Sequence, residues 1–367
     1  MKRERRLAII TTLIIIAAAV AGVFLAPRIG PPAVLSPAAA DRAQEGSEEI
    51  REQRSVERAW ETPAFALVHE LGRSPGATIG DPIGVRVDRE GAAYVLDWGS
   101  RCVRKFSPAG DQVMVFGGQA GRGPGEFSNL TDIDVDEDGA VWACDPVNGL
   151  VTVFASDGRV RTTVRTGRPP HRLALIGGGA FMVMPSPAGK YLFHRYDGQG
   201  AVVDTCGTVV RDQEMMSVIL DGRCAGSFDG RFAYAGYRAG ILGLFNAHRT
   251  PSLFFVKTVE HPGLPKVVAQ QAGDVRYVRV SPDAPMVSRS VSIVGREVHV
   301  LAGSVSADRN GIMDVYDHDT GAYVRSYEIP VQAVAACRTK GMLYAVADTT
   351  VKVWSITEVP SIHAGLQ

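Results

Sequence analysis

Short apolar segments alternate with glycine-containing turns along most of the chain. Between residues 65 and 357 the apolar segments are rich in Val, Ile, Phe and Tyr, and the turns between them include Glu90-Gly91, Asp138-Gly139 and Asp157-Gly158. Short β-branched and aromatic runs bounded by such turns are typical of β-strands. The pattern therefore predicts an all-β body of many short strands.

The strands recur as a unit of about 48 residues, a length typical of repeat architectures. Pro82–Gly110 and Leu130–Gly158 align at a constant offset. In each, an acidic-Gly turn and an Asp-containing loop separate three predicted strands, and a second Gly turn leads to a fourth strand. A four-stranded unit of this size predicts a propeller blade. The identical pairs include Val87/Val135, Asp88/Asp136, Gly91/Gly139, Asp97/Asp145 and Phe106/Phe154.

Four more diverged units follow, so we expect six blades. Turns at Asp197-Gly198, Asp229-Gly230, Gly295 and Gly341 mark these units. In the last of them, Asp348 falls at the position that Asp97 and Asp145 occupy in the first two.

The sixth unit lacks a fourth strand after Trp354, whereas the apolar segment FALVHEL, Phe65–Leu71, precedes the first unit. Pairing this segment with the last unit closes the ring and covers edges that would otherwise be exposed. The expected fold is a six-bladed β-propeller of four-stranded antiparallel blades, with Phe65, Leu67 and Leu71 packed in the closing blade.

The first two units resemble an NHL repeat. The second unit carries the motif as Gly121–Phe127, Asp136–Gly139, Asp145, Asn148 and Phe154; the first carries Gly72, Pro75, Gly76, Asp88, Gly91, Asp97 and Phe106. The resemblance implies an NHL-type propeller, similar to the membrane-linked six-bladed proteins of bacteria. The chain departs from the family at Cys102 and Leu150, where the family often has an arginine.

The N-terminus has a different pattern. A basic start, Met1–Arg6, precedes the uncharged run Leu7–Ala26. As a helix this run is about 30 Å long, roughly one hydrocarbon core. We expect a retained signal-anchor at residues 1–26, and a cleaved signal peptide is the alternative. The basic residues favour a cytoplasmic N-terminus, with the body in the periplasm or the extracellular space.

The remaining boundaries follow from composition. Residues 27–62, first rich in Pro and Ala and then highly charged, predict a flexible tether or a short solvated helix. The propeller is expected over 63–358 and a C-terminal tail over 359–367. The chain has 39 basic and 39 acidic residues, so its net charge gives no indication of nucleic-acid binding.

Gly-Arg-x-Pro turns occur three times, at Gly72–Gly76, Gly121–Phe127 and Gly167–His171. In a propeller each would connect the fourth strand of one blade to the first strand of the next, on the same face as the loops between second and third strands. No Lys-Ser/Thr follows the glycines, so these turns are not nucleotide-phosphate loops. Two longer connections, 206–224 and 261–287, fall on this face, and the second is expected to add a hairpin.

The arginines of these turns are the candidate binding residues. We expect Arg73, Arg122 and Arg168 on one rim, near Arg101 and Arg172. The loop residues Asp97, Asp145 and Asn148 are further candidate binding residues. The arginines either pair with a loop aspartate such as Asp97 or Asp145 or face water, or they form a face that attracts a carboxylate, a phosphate or an acidic polymer.

Cysteines and histidines show no metal-binding spacing, so no metal, cofactor or catalytic residue is predicted. Outside the cytoplasm, Cys206 and Cys224 could form a disulfide; the alternative is that all five cysteines are reduced and buried. We expect a binding or scaffold module for a protein or an anionic ligand. The alternative is a metal-dependent hydrolase or lyase with its site at the channel mouth, because six-bladed propellers include calcium-dependent lactonases and zinc-dependent amidating lyases.

Overall fold

The computed structural model describes residues 49–54, 57–74, 76–209, 213–250, 252–272, 275–303 and 311–357. The expected anchor, the first part of the expected tether and the C-terminal tail lie outside these residues. Within the described ranges, none of the helices has both the length and the apolar character needed to cross a membrane.

The described chain forms a six-bladed propeller, as the sequence predicts. The strands β1 (Ile50–Arg51) and β2 (Ala64–Leu71) precede the first complete blade. Blade one contains β3 (Pro82–Val87), β4 (Ala93–Asp97), β5 (Cys102–Phe106) and β6 (Gln112–Gly117); blade two contains β7 (Asp132–Val135), β8 (Val141–Asp145), β9 (Leu150–Phe154) and β10 (Val160–Arg165); blade three contains β11 (Pro170–Gly177), β12 (Ala180–Pro185), β13 (Phe193–Tyr196) and β14 (Val202–Cys206).

The second half repeats this arrangement with two insertions. Helix α1 (Gln213–Ile219) precedes blade four, and the hairpin β19 (Val267–Ala272) and β20 (Val275–Val280) precedes blade five. The hairpin confirms the expectation for the second long connection. Blade four contains β15 (Gly222–Ser227), β16 (Arg231–Gly236), β17 (Ile241–Asn246) and β18 (Leu253–Lys257); blade five contains β21 (Ser288–Val294), β22 (Glu297–Ala302), β23 (Ile312–Asp317) and β24 (Tyr323–Glu328); blade six contains β25 (Ala335–Thr339), β26 (Met342–Ala347), β27 (Thr350–Thr357) and β2.

The acidic-Gly turn has the same chemistry in both matching units. Asp88 accepts hydrogen bonds from the backbone N–H groups of residues 90 and 92, and Asp136 does the same for residues 138 and 140. The following residues Gly91 and Gly139 have φ angles of 88° and 75°, which glycine adopts at little cost. These turns reverse the chain between the first and second strands of each blade.

The ring closes as predicted, because β2 pairs antiparallel with β27 from Ala64↔Thr357 to Leu71↔Val351. A bulge between Leu67 and His69 shifts the register. Phe65 therefore packs toward blade five, whereas Leu71 is buried against blade one. The expectation for Leu67 was wrong: its exposed fraction is 58%, because it lies on the outer strand just before the bulge.

Residues 49–54 and 57–63, which we call the strap, lie against the propeller rather than apart from it. Strand β1 pairs in parallel with β18, the outer strand of blade four. Gln53 then donates to the carbonyl of Gly321 and accepts from the N–H of Tyr323, both in blade five. Trp60 forms a parallel bridge with Ser326. The strap therefore crosses the outer edges of blades four and five before β2 joins blade six. Hydrogen bonds hold the described part of the expected tether, residues 49–54 and 57–62, to the propeller.

Candidate functional site: the channel mouth on the loop-rich face

Two of the expected binding residues, Asp97 and Asp145, are structural caps for the connections that enter their blades. Asp97 accepts from the N–H groups of Gly80 and Asp81 at 3.0 and 2.9 Å, and from Arg104 Nε at 2.9 Å. Both carboxylates are fully buried, with exposed fractions of 0% and 1%. Their oxygens are therefore directed into the protein, and neither faces solvent on the loop-rich face.

Asp145 holds the corresponding connection of blade two. It accepts from the N–H groups of Ser128 and Asn129 at 2.7 and 3.2 Å, and from both the backbone and the side chain of Asn148. Asn148 also donates to the carbonyl of Gly121 at 3.0 Å. Burial raises the pKa of Asp145, although these N–H groups act in the opposite direction. Asn148 thus joins Asp145, at the end of β8, to Gly121 of the Gly-Arg-x-Pro turn. These contacts explain why the Asp-containing loop and this turn occur together in the sequence.

Asp348 does not occupy the equivalent position. The loops after Asp97 and Asp145 connect the pairs Asp97↔Cys102 and Asp145↔Leu150, whereas in blade six the flanking pair is Ala347↔Thr350. Asp348 therefore lies inside a tight two-residue hairpin turn, with a φ of 53°, and its side chain is exposed.

Four of the expected arginines are exposed on the loop-rich face. Arg73 pairs with Glu70 at 2.8 Å, and 69% of its side chain is exposed. Arg101, Arg122 and Arg168 are exposed, and in the part of the chain that the structure describes none of these three has a carboxylate within ion-pair distance. The side chains of Arg101 and Arg122 are exposed, whereas the guanidinium of Arg168 lies against the backbone of Gly189 although the residue is exposed overall.

Arg172 differs from these four because it is buried. Its Nε donates to the carbonyl of Gly222 at 2.8 Å and its Nη1 to that of Thr131 at 3.1 Å. Its Nη2 lies 3.4 Å from Asp221. Although the preceding turn suggests a rim residue, Arg172 lies on β11, the innermost strand of blade three. It links the starts of the inner strands of blades two, three and four and is not part of the exposed rim.

Two further arginines cross the central channel between blades one and four, which lie opposite each other in a six-bladed ring. Arg86 donates to the carbonyl of Cys224 at 2.9 Å, and Arg223 donates to the carbonyl of Ile83 at 2.8 Å. Asp132 lies 3.6 and 3.5 Å from their respective guanidinium groups. The two hydrogen bonds join opposite sides of the ring, and Asp132 of blade two lies within ion-pair distance of both arginines.

A histidine–aspartate pair lies at the mouth itself. His171 Nε2 is 3.3 Å from Asp221 Oδ1, with 22% and 39% of the two side chains exposed. Burial, followed by the charge of Arg172, lowers the pKa of His171, so its imidazole is neutral at neutral pH. Burial would raise the pKa of Asp221, but the charges of Arg172 and Arg223, together with a hydrogen bond from His171, hold it below its usual value. The mouth therefore presents a neutral imidazole beside an ionised carboxylate.

Tyr237 and Arg238, in the loop between β16 and β17, complete the mouth together with Arg289 at the start of β21. The Tyr237 ring lies near Arg172 and Arg223, whose Cζ atoms are 5.9 and 6.0 Å from its centroid. The sequence did not single out Tyr237, Arg238 or Arg289, because they come from two blades and have no spacing in common with the repeated turns.

The possible disulfide between Cys206 and Cys224 is absent from the structure, and the two residues are free cysteines. Cys206 on β14 and Cys224 on β15 are both thiols, and each lies in or against the same apolar cluster between blades three and four. Cys102 and Cys144 are buried strand residues, and burial raises the pKa of the Cys102 thiol to about 11. Such thiols act as small core residues.

Among the residues that the structure describes, no group of three or more His, Cys, Asp or Glu side chains has the arrangement of a metal site. The mouth contains the pair His171 and Asp221, which is fewer ligands than a closed protein site for zinc or calcium supplies.

Comparisons with known proteins agree on the fold. No protein-family profile matches the chain, and no curated protein matches it significantly. A solved structure of a Bacteroides fragilis protein thought to be exported superposes with a TM-score of 0.54 at 12% identity, over 84% of this chain and 99% of that one. A streptogramin B lyase superposes with a TM-score of 0.51 at 11% identity, over 80% and 98%. At such identities the likeness shows the β-propeller fold alone.

Proposed function

We propose that the protein is a membrane-tethered, extracytoplasmic binding module, which holds an acidic partner on the loop-rich face of an NHL-type propeller. The observation that carries the proposal is the set Arg101, Arg122 and Arg168, exposed on one face without a carboxylate partner among the described residues. Unpaired surface arginines add little to fold stability, since even exposed ion pairs contribute only about 0–1 kcal/mol. Together they produce a positive field that attracts acidic partners.

Two further features support this face as the binding surface. The connections before blades four and five carry α1 and the β19–β20 hairpin, and long connections on a rigid scaffold often carry function. The resemblance of the first two units to NHL repeats, together with the uncharged run Leu7–Ala26, supports the membrane-tethered placement.

The test compares two triple variants of the full-length protein. R101S/R122S/R168S removes the exposed rim, and R89S/R159S/R161S removes three exposed arginines from positions outside that rim. The wild type and the control variant should capture the same acidic partner from a membrane extract, and the rim variant should lose it. Raising the salt should weaken capture, because exposed charges are screened over about 8 Å at physiological ionic strength. Equal capture by both variants would remove the rim as the binding surface.

The tethering has its own test. Full-length protein should remain in the membrane fraction after an alkaline wash, and protease should reach the body only from the extracytoplasmic side. A mature protein that begins near residue 22 or 41 would instead indicate a cleaved signal peptide.

A hydrolase or lyase is the second candidate, and the His171–Asp221 pair is the observation that favours it. A neutral imidazole oriented by a carboxylate has the arrangement of a general base. Metal analysis of the purified body and turnover assays of H171N would test this candidate. Stoichiometric calcium or zinc, with activity lost in H171N, would favour it over the binding module.

A further inference from the structure

Arg238 and Arg289 are held next to each other by backbone contacts between blades four and five. The carbonyl of Tyr237 accepts the N–H groups of Val287 and Ser288 at 2.7 and 3.2 Å, and Ser288 Oγ donates to the carbonyl of Gly236 at 2.8 Å. These bonds fix the loop that carries Arg238 against the start of β21, which carries Arg289. The juxtaposition therefore belongs to the fold and does not depend on a chance side-chain orientation.

Most of the donor groups of this pair remain available. Arg238 Nη1 donates to the carbonyl of Ala284, and Arg289 Nη2 lies 3.4 Å from the carbonyl of Gly303. Arg289 Nε is buried and has no hydrogen-bond partner. Because each guanidinium carries five N–H donors, two carbonyl oxygens satisfy only a small part of the set.

Among the described residues, the pair also lacks a counter-charge, unlike three arginines of the channel. Arg86 and Arg223 lie beside Asp132, and Arg172 lies beside Asp221. Within the described ranges, no carboxylate lies within ion-pair distance of Arg238 or Arg289. Burial, and then the positive charge of Arg238, lowers the pKa of Arg289. Partly buried charges normally lie beside an opposite charge. Two neighbouring arginines without a carboxylate among the described residues depart from this rule, and such departures are expected at functional sites.

We propose that Arg238 and Arg289 form an oxyanion-binding site at the channel mouth, which takes a carboxylate or phosphate group of the acidic ligand. This inference rests on the proposed binding function and locates its specific contact. Guanidinium groups match carboxylate and phosphate oxygens with two parallel hydrogen bonds. Asp221, the acid at the mouth, is already paired with His171 and Arg172. It therefore leaves the charge of Arg238 uncompensated.

The test uses inorganic phosphate and succinate as probes for the two chemical sources. Thermal melting of the full-length protein is measured with and without each probe, at constant ionic strength set with chloride. We expect at least one probe to raise Tm by about 2–4 °C at a concentration well above its Kd. The probe that succeeds identifies the ligand group as a phosphate or a carboxylate.

Two variants and one matched control locate the effect. R238Q and R289Q should each lose most of the probe-induced shift, whereas R89Q/R161Q, which changes two exposed arginines outside the rim and the mouth, should retain it. Equal shifts in the wild type, R238Q and R289Q would indicate a general salt effect and overturn the proposal, as would the absence of any shift in the wild type. If R289Q fails to fold, the wild type and R238Q are titrated calorimetrically with the same probe. Equal affinities of the two proteins would overturn the proposal. The two proposals can fail separately. If the Arg238–Arg289 site binds its probe but R101S/R122S/R168S still captures the partner, the rim proposal is wrong and the oxyanion-site proposal stands.

Discussion

At the scale of single residues, carboxylates on this propeller differ in role according to what surrounds them. Asp145 is buried among N–H donors and caps a connection, whereas Asp348 is exposed in a hairpin turn. Asp134 lies in the channel and accepts from the N–H of Leu175 at 2.8 Å, with Arg86 3.6 Å away. Each environment leads to a different effect of the same substitution.

Asp145→Asn should destabilise the protein, and Asp348→Asn should not. The new amide group would place N–H donors against the N–H groups of Ser128 and Asn129 and leave buried donors unsatisfied, which costs about 1–3 kcal/mol. Asn tolerates the positive φ of the exposed turn. Urea unfolding of the two variants measures the difference, and equal free energies of unfolding would contradict the capping role.

Asp134 should make stability depend on pH between about 4 and 6. Burial raises its pKa to about 6, against the influence of Arg86, from an ordinary value of 3.8. The folded protein therefore binds the proton more tightly than the unfolded chain, and stability falls as pH rises through this window. Relative to D134N, which keeps an oxygen acceptor for Leu175, the wild type should lose about 1–3 kcal/mol between pH 4 and pH 6. A difference that is constant with pH, or that grows in the opposite direction, would show that Asp134 is ionised throughout.

At the scale of elements, the strap is held by one buried ion pair in addition to its backbone bonds. Arg58 donates from Nε and Nη2 to the two oxygens of Asp314, each at 2.9 Å. Asp314 is 4% exposed. Arg58 also pairs with Glu260 of the connection after blade four. Ser326 Oγ also donates a hydrogen bond to Asp314. The strap thus supplies the counter-charge for a carboxylate that β23 buries.

Arg58→Met should cost about 3–5 kcal/mol, because it leaves the charge of Asp314 buried without its partner. Adding Asp314→Asn should recover part of this loss. Glu52→Gln is the matched control in the same segment: it breaks the exposed pair with Lys257 and should cost less than about 1 kcal/mol. Chemical unfolding of the protein without residues 1–48 provides the comparison. A cost for Arg58→Met as small as that of the control would mean that the strap is only loosely attached.

The strap also shows where sequence reasoning succeeds and where it fails. The residues that form a turn are close together in the sequence, so Asp88 and Gly91 were sufficient to predict the turns of the blades. The partner of Arg58 is 256 residues away, and a charged segment without that partner has the composition of a solvated tether. Arg238 and Arg289 likewise meet only through the packing of neighbouring blades. The sequence therefore predicted the blades and their closure, but not the contacts that side chains make between blades.

At the scale of the whole molecule, closure depends on a strand that precedes every complete blade. Strand β2 joins the two ends of the described propeller, and its bulge directs side chains to both neighbouring blades: Phe65 toward blade five and Leu71 toward blade one. Blade six is thereby packed on both faces, and β27 has a partner along its outer edge.

Removing β2 should therefore be far more damaging than removing the strap alone. A chain that begins at residue 61 keeps β2 and should fold, with a stability reduced by the loss of Arg58. A chain that begins at residue 76 exposes the edge of β27, which can pair with other chains, and it loses the burial of Leu71. We expect this shorter chain to aggregate or to melt at a much lower temperature.

Point substitutions on β2 test the contribution of side-chain packing without shortening the chain. Leu71 is 2% exposed and Leu67 is 58% exposed on the same strand. Leu71→Ala should cost about 2–5 kcal/mol, whereas Leu67→Ala should stay within about 0.5 kcal/mol of the wild type. Both variants are compared by urea unfolding and by size-exclusion chromatography. If chains beginning at residues 61 and 76 melted together and Leu71→Ala were as mild as Leu67→Ala, the ring would be stable without β2, and its closure would have to rest on the packing of β25 against β3.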